Sequence, residues 1–306
     1  MKIAYLLLVH SNPILLQRTI DALSCDGCGF FVHVDRKADI RPFTSAARDS
    51  VFMAEERIPV YWGEFSQVDA TLLLIRQALA APETYERFVF LQGSTYPIRS
   101  GRYIASFLRE NRDAEFINAA RMPAPGYPLS KLETLRYPSH KPLRRVVSRG
   151  LARLGFGRRD HRRHLGDFAP YAGHASWALT RQACAHLAGF TLSNPRIVEF
   201  FRNSFAPDES YLQSVFGNSP FRSRARKQFV YADWSTSKGD HPLSIHDSHL
   251  ASFEASEQLW IEDEWGAGEM LFARKFSDQR LDLVDRVDRM IRRKESAAPR
   301  LACTAS

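Results

Sequence analysis

The chain has 306 residues, 44% hydrophobic and 25% charged, with a formal net charge of +8. That balance suits a folded globular protein and excludes wholesale disorder. The apolar run Ile3–Val9 is too short to span a bilayer and no signal peptide precedes it, so a cytoplasmic protein, at most peripheral on an inner membrane, is expected.

Lys2–His10 reads as a strand covered on both faces. Ser11-Asn12-Pro13 then opens a helix over Ile14–Leu23, with Leu15, Leu16, Ile20 and Leu23 on one face. Phe30–Val34, Pro59–Trp62, Arg87–Leu91 and Glu115–Ala119 read as further strands, and Ser66–Leu79 and Tyr103–Arg109 as helices. This alternation predicts an α/β fold with a largely parallel central sheet, in which ligands bind beyond the carboxyl ends of the strands. His10, Asp35, Trp62 and Gln92 stand at four such ends.

The pattern stops at Met122. Residues 122–168 hold five prolines, and eleven Lys and Arg against three Asp and Glu, an excess equal to the net charge of the whole chain. Within 144–163, Val146, Val147, Leu151 and Leu154 lend the basic stretch an apolar stripe, so a short amphipathic helix is expected. Such a segment meets an anionic lipid surface, an anionic glycan or a nucleic acid, or is simply a solvated loop. No nucleic-acid-binding motif accompanies it, which counts against that partner. Regular structure resumes with a strand at Ala175–Leu179 and helices at Gln182–Ala188, Arg196–Phe201 and Glu209–Phe216. A strand at Phe229–Ala232, a helix at Ile245–Ala255, extended chain at Met270–Phe276 and an amphipathic helix at Asp278–Arg293 follow.

Of the four cysteines, Cys25 and Cys28 form a C-x-x-C with no second pair at zinc spacing. The pattern predicts reduced thiols throughout, with a Cys25–Cys28 disulfide or metal pair as the lesser alternative. Pro207-Asp208-Glu209 places two carboxylates at the opening of a helix. On residues alone, first-turn acids more often serve the helix dipole, and Trp62, Trp177 and Trp234 more often sit in a core. Nowhere does the chain contain an Asp-x-Asp triplet, the usual carboxylate clamp for a metal-bound nucleotide.

Several motifs stand in a recognisable order. They are His33-Val34-Asp35-Arg36-Lys37, Trp62-Gly63-Glu64-Phe65-Ser66, Leu91-Gln92-Gly93-Ser94-Thr95-Tyr96-Pro97-Ile98 and Gly173-His174-Ala175-Ser176-Trp177. Asp208-Glu209-Ser210-Tyr211, Asp233-Trp234-Ser235, His241-Pro242 and Leu271-Phe272-Ala273-Arg274-Lys275-Phe276 complete the series. Together they resemble the core-2/I-branching β-1,6-N-acetylglucosaminyltransferase and peptide O-xylosyltransferase family (glycosyltransferase family 14), in a bacterial-type member. The resemblance implies a GT-A-like nucleotide-sugar-binding fold and inverting transfer from a UDP-sugar, with no metal or other cofactor. It places Glu209 on the catalytic base and Arg274 and Lys275 on the basic pair that holds the diphosphate, with Lys275 the main contact. Val9, Asp35 and the Tyr61-Trp62-Gly63 turn fall where the nucleoside is held, Ser176-Trp177 beside the donor sugar, and Trp234 near the acceptor.

Two departures stand out. Thr95 replaces an Asp of the family turn, and Val230 stands where relatives carry Arg, with Lys227, Lys238 or His241 as candidate substitutes. The expected layout is a single domain over 1–295. Residues 1–121 form the nucleotide-binding half, 122–168 a basic insert and 169–295 the catalytic and acceptor half, with a flexible tail at 296–306. The acceptor is a glycan, a polysaccharide or a lipid-linked sugar, the donor UDP-xylose or UDP-N-acetylglucosamine. The alternative is a non-catalytic protein of the same fold that binds anionic glycan, a lipid surface or nucleic acid.

Overall fold

The computed structural model describes residues 1–137, 157–235 and 241–297, together with Leu143, Val146 and Gly150. In chain order the elements begin with β1 (Ile3–Val9), α1 (Pro13–Leu23), β2 (Cys28–Val34), β3 (Val51–Met53) and α2 (Ser66–Ala80). Next come β4 (Arg87–Gln92), β5 (Thr95–Pro97), α3 (Gly101–Glu110), β6 (Glu115–Phe116) and β7 (Ala120–Arg121). Then follow α4 (Ser130–Glu133), α5 (His161–Leu165), β8 (Tyr171–Ala172), β9 (Trp177–Thr180), α6 (Arg181–Ser193), α7 (Pro195–Arg202) and α8 (Tyr211–Gly217). The remainder is β10 (Ala225–Arg226), β11 (Val230–Ala232), α9 (Asp247–Ala255), β12 (Trp260–Asp263), β13 (Gly266–Glu269), β14 (Phe272–Arg274) and α10 (Leu281–Ala297).

The main sheet runs β10-β6-β9-β4-β1-β2-β3. All its pairings are parallel except those of β9, which runs against both β4 and β6. This is the α/β architecture with a mostly parallel sheet. Successive β1 side chains explain its unbroken apolar run. Ala4 and Leu6 enter the core under α2, α6 and α8, while Ile3, Tyr5, Leu7 and Val9 enter the core shared with α1 and α3. Because β2 and β4 flank β1 and connect to it over opposite faces, a crevice opens beyond the carboxyl ends of β1 and β4.

A second sheet, β11-β14-β5, stands at that crevice. It packs with α9 and α10 in a third core around Tyr96, Phe253, Phe276 and Val284. The C-terminal elements are fastened to the N-terminal ones. The Asp278 carboxylate accepts the Ile14 and Leu15 amides at 3.1 and 2.8 Å, capping α1 where its own Asn12 side chain does not. Arg18 of α1 pairs with Asp285 and Asp288 of α10 at 2.7 and 2.5 Å.

Four expectations change. The third strand is Val51–Met53, and 59–62 is irregular. Glu209 lies on a 3₁₀ turn, Pro207–Glu209, just before α8. Cys25 and Cys28 are joined as a disulfide, because Gly27 at φ +80° closes a turn that brings their Cα atoms to 5.5 Å. The last helix runs to Ala297, and the tail 298–306, most of 144–156 with its expected amphipathic helix, and Lys238 lie outside the described residues.

Candidate active site

A cavity of about 620 Å³ fills the crevice at the strand ends. Val9, Asp35, Trp62, Ser176, Glu209, Trp234, Arg274 and Lys275 all line it, as do His10, Gln92, Asp208 and His174. Residues spread from 9 to 275 therefore meet in one place.

Asp35 closes one end of the cavity. Its carboxylate accepts the Lys37 amide at 2.9 Å, the Lys37 ammonium at 2.6 Å and the Val60 amide at 3.2 Å. Burial alone would raise its pKa, but these hydrogen bonds prevail and hold it below the ordinary value. Tyr61 lies beneath Lys37, whose ammonium sits 4.5 Å from the ring centroid. Gly63 adopts φ +68°, and a Cβ there would meet the Phe205 ring at 2.9 Å. Its carbonyl accepts the Ala206 amide at 3.1 Å, so this turn fixes the approach to Glu209. Tyr61 and Gly63 thus support the wall, while the exposed Trp62 lies edge-on to Phe205 and His241 at the rim.

Ser176 and Trp177 part company, because neighbours on a strand face opposite sides. Ser176 lines the cavity. Trp177 points into the core and stacks on Phe90 at 5.5 Å.

Glu209 is held from three sides. Its backbone carbonyl accepts the Gly173 amide at 2.9 Å. Lys131 reaches to 3.7 Å from its Oε2, and the Tyr127 side chain faces the same carboxylate. Asp208 accepts the Gln67 side-chain amide at 2.5 Å. Burial and the adjacent Glu209 charge keep the Asp208 carboxyl well above the usual range, with Lys131 and Arg274 pulling the other way. Asp208 is thus part of the site, beyond the helix-dipole role expected for it.

Arg274 and Lys275 share the cavity with these carboxylates. Alternation along a strand predicts that only one of them faces the ligand. β14 ends at Arg274, however, and both line the cavity. Neither forms an ion pair among the described residues, and the Arg274 Nε is buried without a hydrogen-bond partner. Burial lowers the Arg274 guanidinium to about 10, against the upward pull of Glu209 and Asp208. Lys275 is lowered too, by burial first and by Arg274 second. Two desolvated cations without a carboxylate partner suit a polyanionic ligand.

Thr95 is buried and sits across from Arg274 in the β14–β5 pairing. Val230 lines the cavity, as does His241. Lys227 is no substitute for the absent Arg, because its ammonium is buried against Asp263 and the Gly266 carbonyl.

Among the described residues, one group offers metal-ligating atoms close together, Asp233, His246 and His249. His249 accepts the His246 amide at Nδ1, 3.1 Å away, so its Nε2 carries the proton donated to Asp233 at 2.7 Å. With both ring nitrogens engaged, the group works as a cap on α9.

Sequence reasoning missed Tyr127, Lys131 and Gln67. The first two sit in a segment whose motifs matched nothing, and only their chemistry marked them. At the described end of the basic segment, Arg158, Arg162 and Arg163 are exposed. Arg159 turns inward and donates to the carbonyls of Leu132, Phe200 and Asn203. No helix among the described residues is long and apolar enough to cross a membrane.

The cavity lies at the switch point of a mostly parallel sheet and is lined by both carboxylates and cations, which makes the chain an α/β protein with a polar ligand site at its strand ends. The profile of the Core-2/I-branching enzyme family matches residues 3–257, and the chain belongs to that family. It is 25% identical over 233 residues to xylosyltransferase 2 of Rattus norvegicus, covering 72% of this chain and 25% of that protein. To xylosyltransferase 1 of the same species it is 24% identical over 232 residues, covering 72% and 26%. The chain thus spans about a quarter of the length of these curated relatives. Among solved structures, 4-diphosphocytidyl-2C-methyl-D-erythritol synthase from Anaerococcus prevotii shares 11% identity at a TM-score of 0.32, covering 63% of this chain and 75% of that one. That likeness is too slight to bear on function.

Proposed function

We propose that the chain is an inverting glycosyltransferase that moves a sugar from a UDP-sugar to a hydroxyl of a glycan, polysaccharide or lipid-linked acceptor. The observation that carries this reading is the cavity itself, which brings Glu209 together with the buried cations Arg274 and Lys275. Glu209 takes the proton from the acceptor hydroxyl as its oxygen attacks the anomeric carbon from the face opposite the leaving UDP. Arg274 and Lys275 stabilise the charge that develops on the diphosphate, with no metal required. Val9, Asp35 and the Tyr61-Trp62-Gly63 turn hold the nucleoside. Ser176 meets the donor sugar with Trp177 supporting it from the core, and Trp62 and Trp234 offer exposed aromatic faces to a pyranose ring.

Xylose is the favoured sugar, since the relatives are named xylosyltransferases. N-acetylglucosamine is the other candidate. The exposed Arg158, Arg162 and Arg163 would let the same protein rest on an anionic inner-membrane surface.

Calorimetric titration of UDP, UDP-xylose and UDP-N-acetylglucosamine in excess chelator tests the reading. Metal-free binding of UDP and of one sugar nucleotide is expected. Binding of UDP only after a divalent cation is restored would overturn the metal-independent part.

A further inference from the structure

The basic insert has a second role in the site. We propose that Tyr127 and Lys131 are positioning residues for the Glu209 carboxylate, so that the insert completes the base as well as any acceptor or membrane contact. This rests on the reading of Glu209 as the base.

Three observations carry it. The first is proximity, since the Lys131 ammonium lies 3.7 Å from Glu209 Oε2 and the Tyr127 side chain faces the same carboxylate. The second is that the two residues brace one another. The Lys131 ammonium sits 4.4 Å from the Tyr127 ring centroid, and Trp265, at the tip of the β12–β13 hairpin, packs edge-on against that ring at 5.6 Å. The third is mechanical. The Phe205 amide donates to the Lys131 carbonyl at 2.9 Å, and the Arg136 amide to the Asn203 carbonyl at 2.9 Å. Arg159 spans the same joint, bonding Leu132 on one side and Phe200 and Asn203 on the other. The insert and the segment leading to Glu209 are therefore fastened together four residues before the carboxylate.

Among the described residues, the charges facing Glu209 are Lys131 from the insert, Arg274 from β14 and Asp208 beside it. Tyr127 faces it too, and His174, whose neutral form burial favours, lines the same cavity. Among the described residues, Lys131 is the cation that the insert brings to it. Its removal withdraws a positive charge at 3.7 Å, which is about half to one pH unit on the carboxyl at solvent-like screening.

The test is a carbon-13 carboxyl titration of glutamate-labelled protein by NMR, with the Glu209 signal identified by its loss in Glu209→Gln. Lys131→Met is expected to raise the Glu209 midpoint by about half to one pH unit. Lys131→Arg is expected to restore it, and Tyr127→Phe to give a smaller rise. An unchanged midpoint in folded Lys131→Met overturns the inference. If that variant does not fold, an unchanged midpoint in Tyr127→Phe overturns it. UDP release from UDP-xylose and UDP-N-acetylglucosamine by Glu209→Gln is read separately. Release at the parent rate would end the base reading and leave the titration result standing.

Discussion

Arg274 should weaken the protein and strengthen its ligand. Its guanidinium is buried at the cavity wall with no ion pair among the described residues, and burial lowers its pKa to about 10, well below the ordinary arginine value. By linkage, a displacement of that size costs the folded state about 3 kcal/mol at neutral pH. The cost persists at every pH below the folded pKa and is relieved only as pH rises through it. Arg274→Met removes the charge and keeps most of the apolar stem. Part of the gain is offset, since Asp208 and Glu209 lose a favourable neighbour, so a net stabilisation of about 1–2 kcal/mol is expected. For a chain of this size that corresponds to a melting midpoint higher by about 2–3 °C. UDP binding should move the other way. One charge-assisted hydrogen bond to phosphate is worth about 1.5–3 kcal/mol, so the Kd should rise about 10- to 100-fold. Differential scanning calorimetry and titration calorimetry in chelator read the two effects on one preparation. A variant that melts lower and binds UDP as tightly as the parent would make Arg274 an ordinary structural arginine and remove it from the phosphate site.

Other substitutions test other parts. Glu209→Gln should lower transfer by about 10²- to 10⁴-fold while leaving UDP affinity within about twofold, by steady-state kinetics and calorimetry. Gly173→Ala would place a Cβ 1.9 Å from the Asn118 carbonyl oxygen, so urea unfolding should show a loss above about 3 kcal/mol. Gly126→Ala, where nothing lies within 4 Å and only φ +72° opposes the change, should lose about 1 kcal/mol. Asp208 holds its proton more tightly folded than unfolded. Its contribution to stability therefore falls as pH rises above the ordinary carboxylate range, and Asp208→Asn should flatten that slope in melting midpoints measured against pH.

The parallel strands were legible because both their faces are buried. Ile3–Val9, Cys28–Val34 and Arg87–Gln92 read as apolar runs, and their ends marked the cavity correctly at His10, Asp35 and Gln92. The edge strand Val51–Met53 is only half-buried and three residues long, too little for periodicity to find. The hairpin Trp260–Glu269 carried a signal, a strand-like run followed by a turn closing at Gly266, that went unread. Trp177 was assigned to the ligand with Ser176, although adjacent strand residues cannot share a face. Arg274 and Lys275 both line the cavity, since β14 ends at Arg274 and the alternation ends with it. Tyr127 and Lys131 reach Glu209 only through tertiary contacts with the 203–206 segment, which sequence spacing does not reveal.

The pairing of β5 with β14 carries a consequence for synthesis. It joins residues 95–97 to 272–274, and it is what brings the cationic wall to a crevice built by the first ninety or so residues. A chain still emerging from the ribosome can lay down β1, β2 and β4 with their helices long before Arg274 exists. On the proposed reading of the site, until β14 docks the crevice has its nucleoside end without its phosphate clamp. The nascent protein should therefore stay blind to sugar nucleotides until nearly all of it has been made, and a pairing of such long sequence separation should be among the last steps of folding.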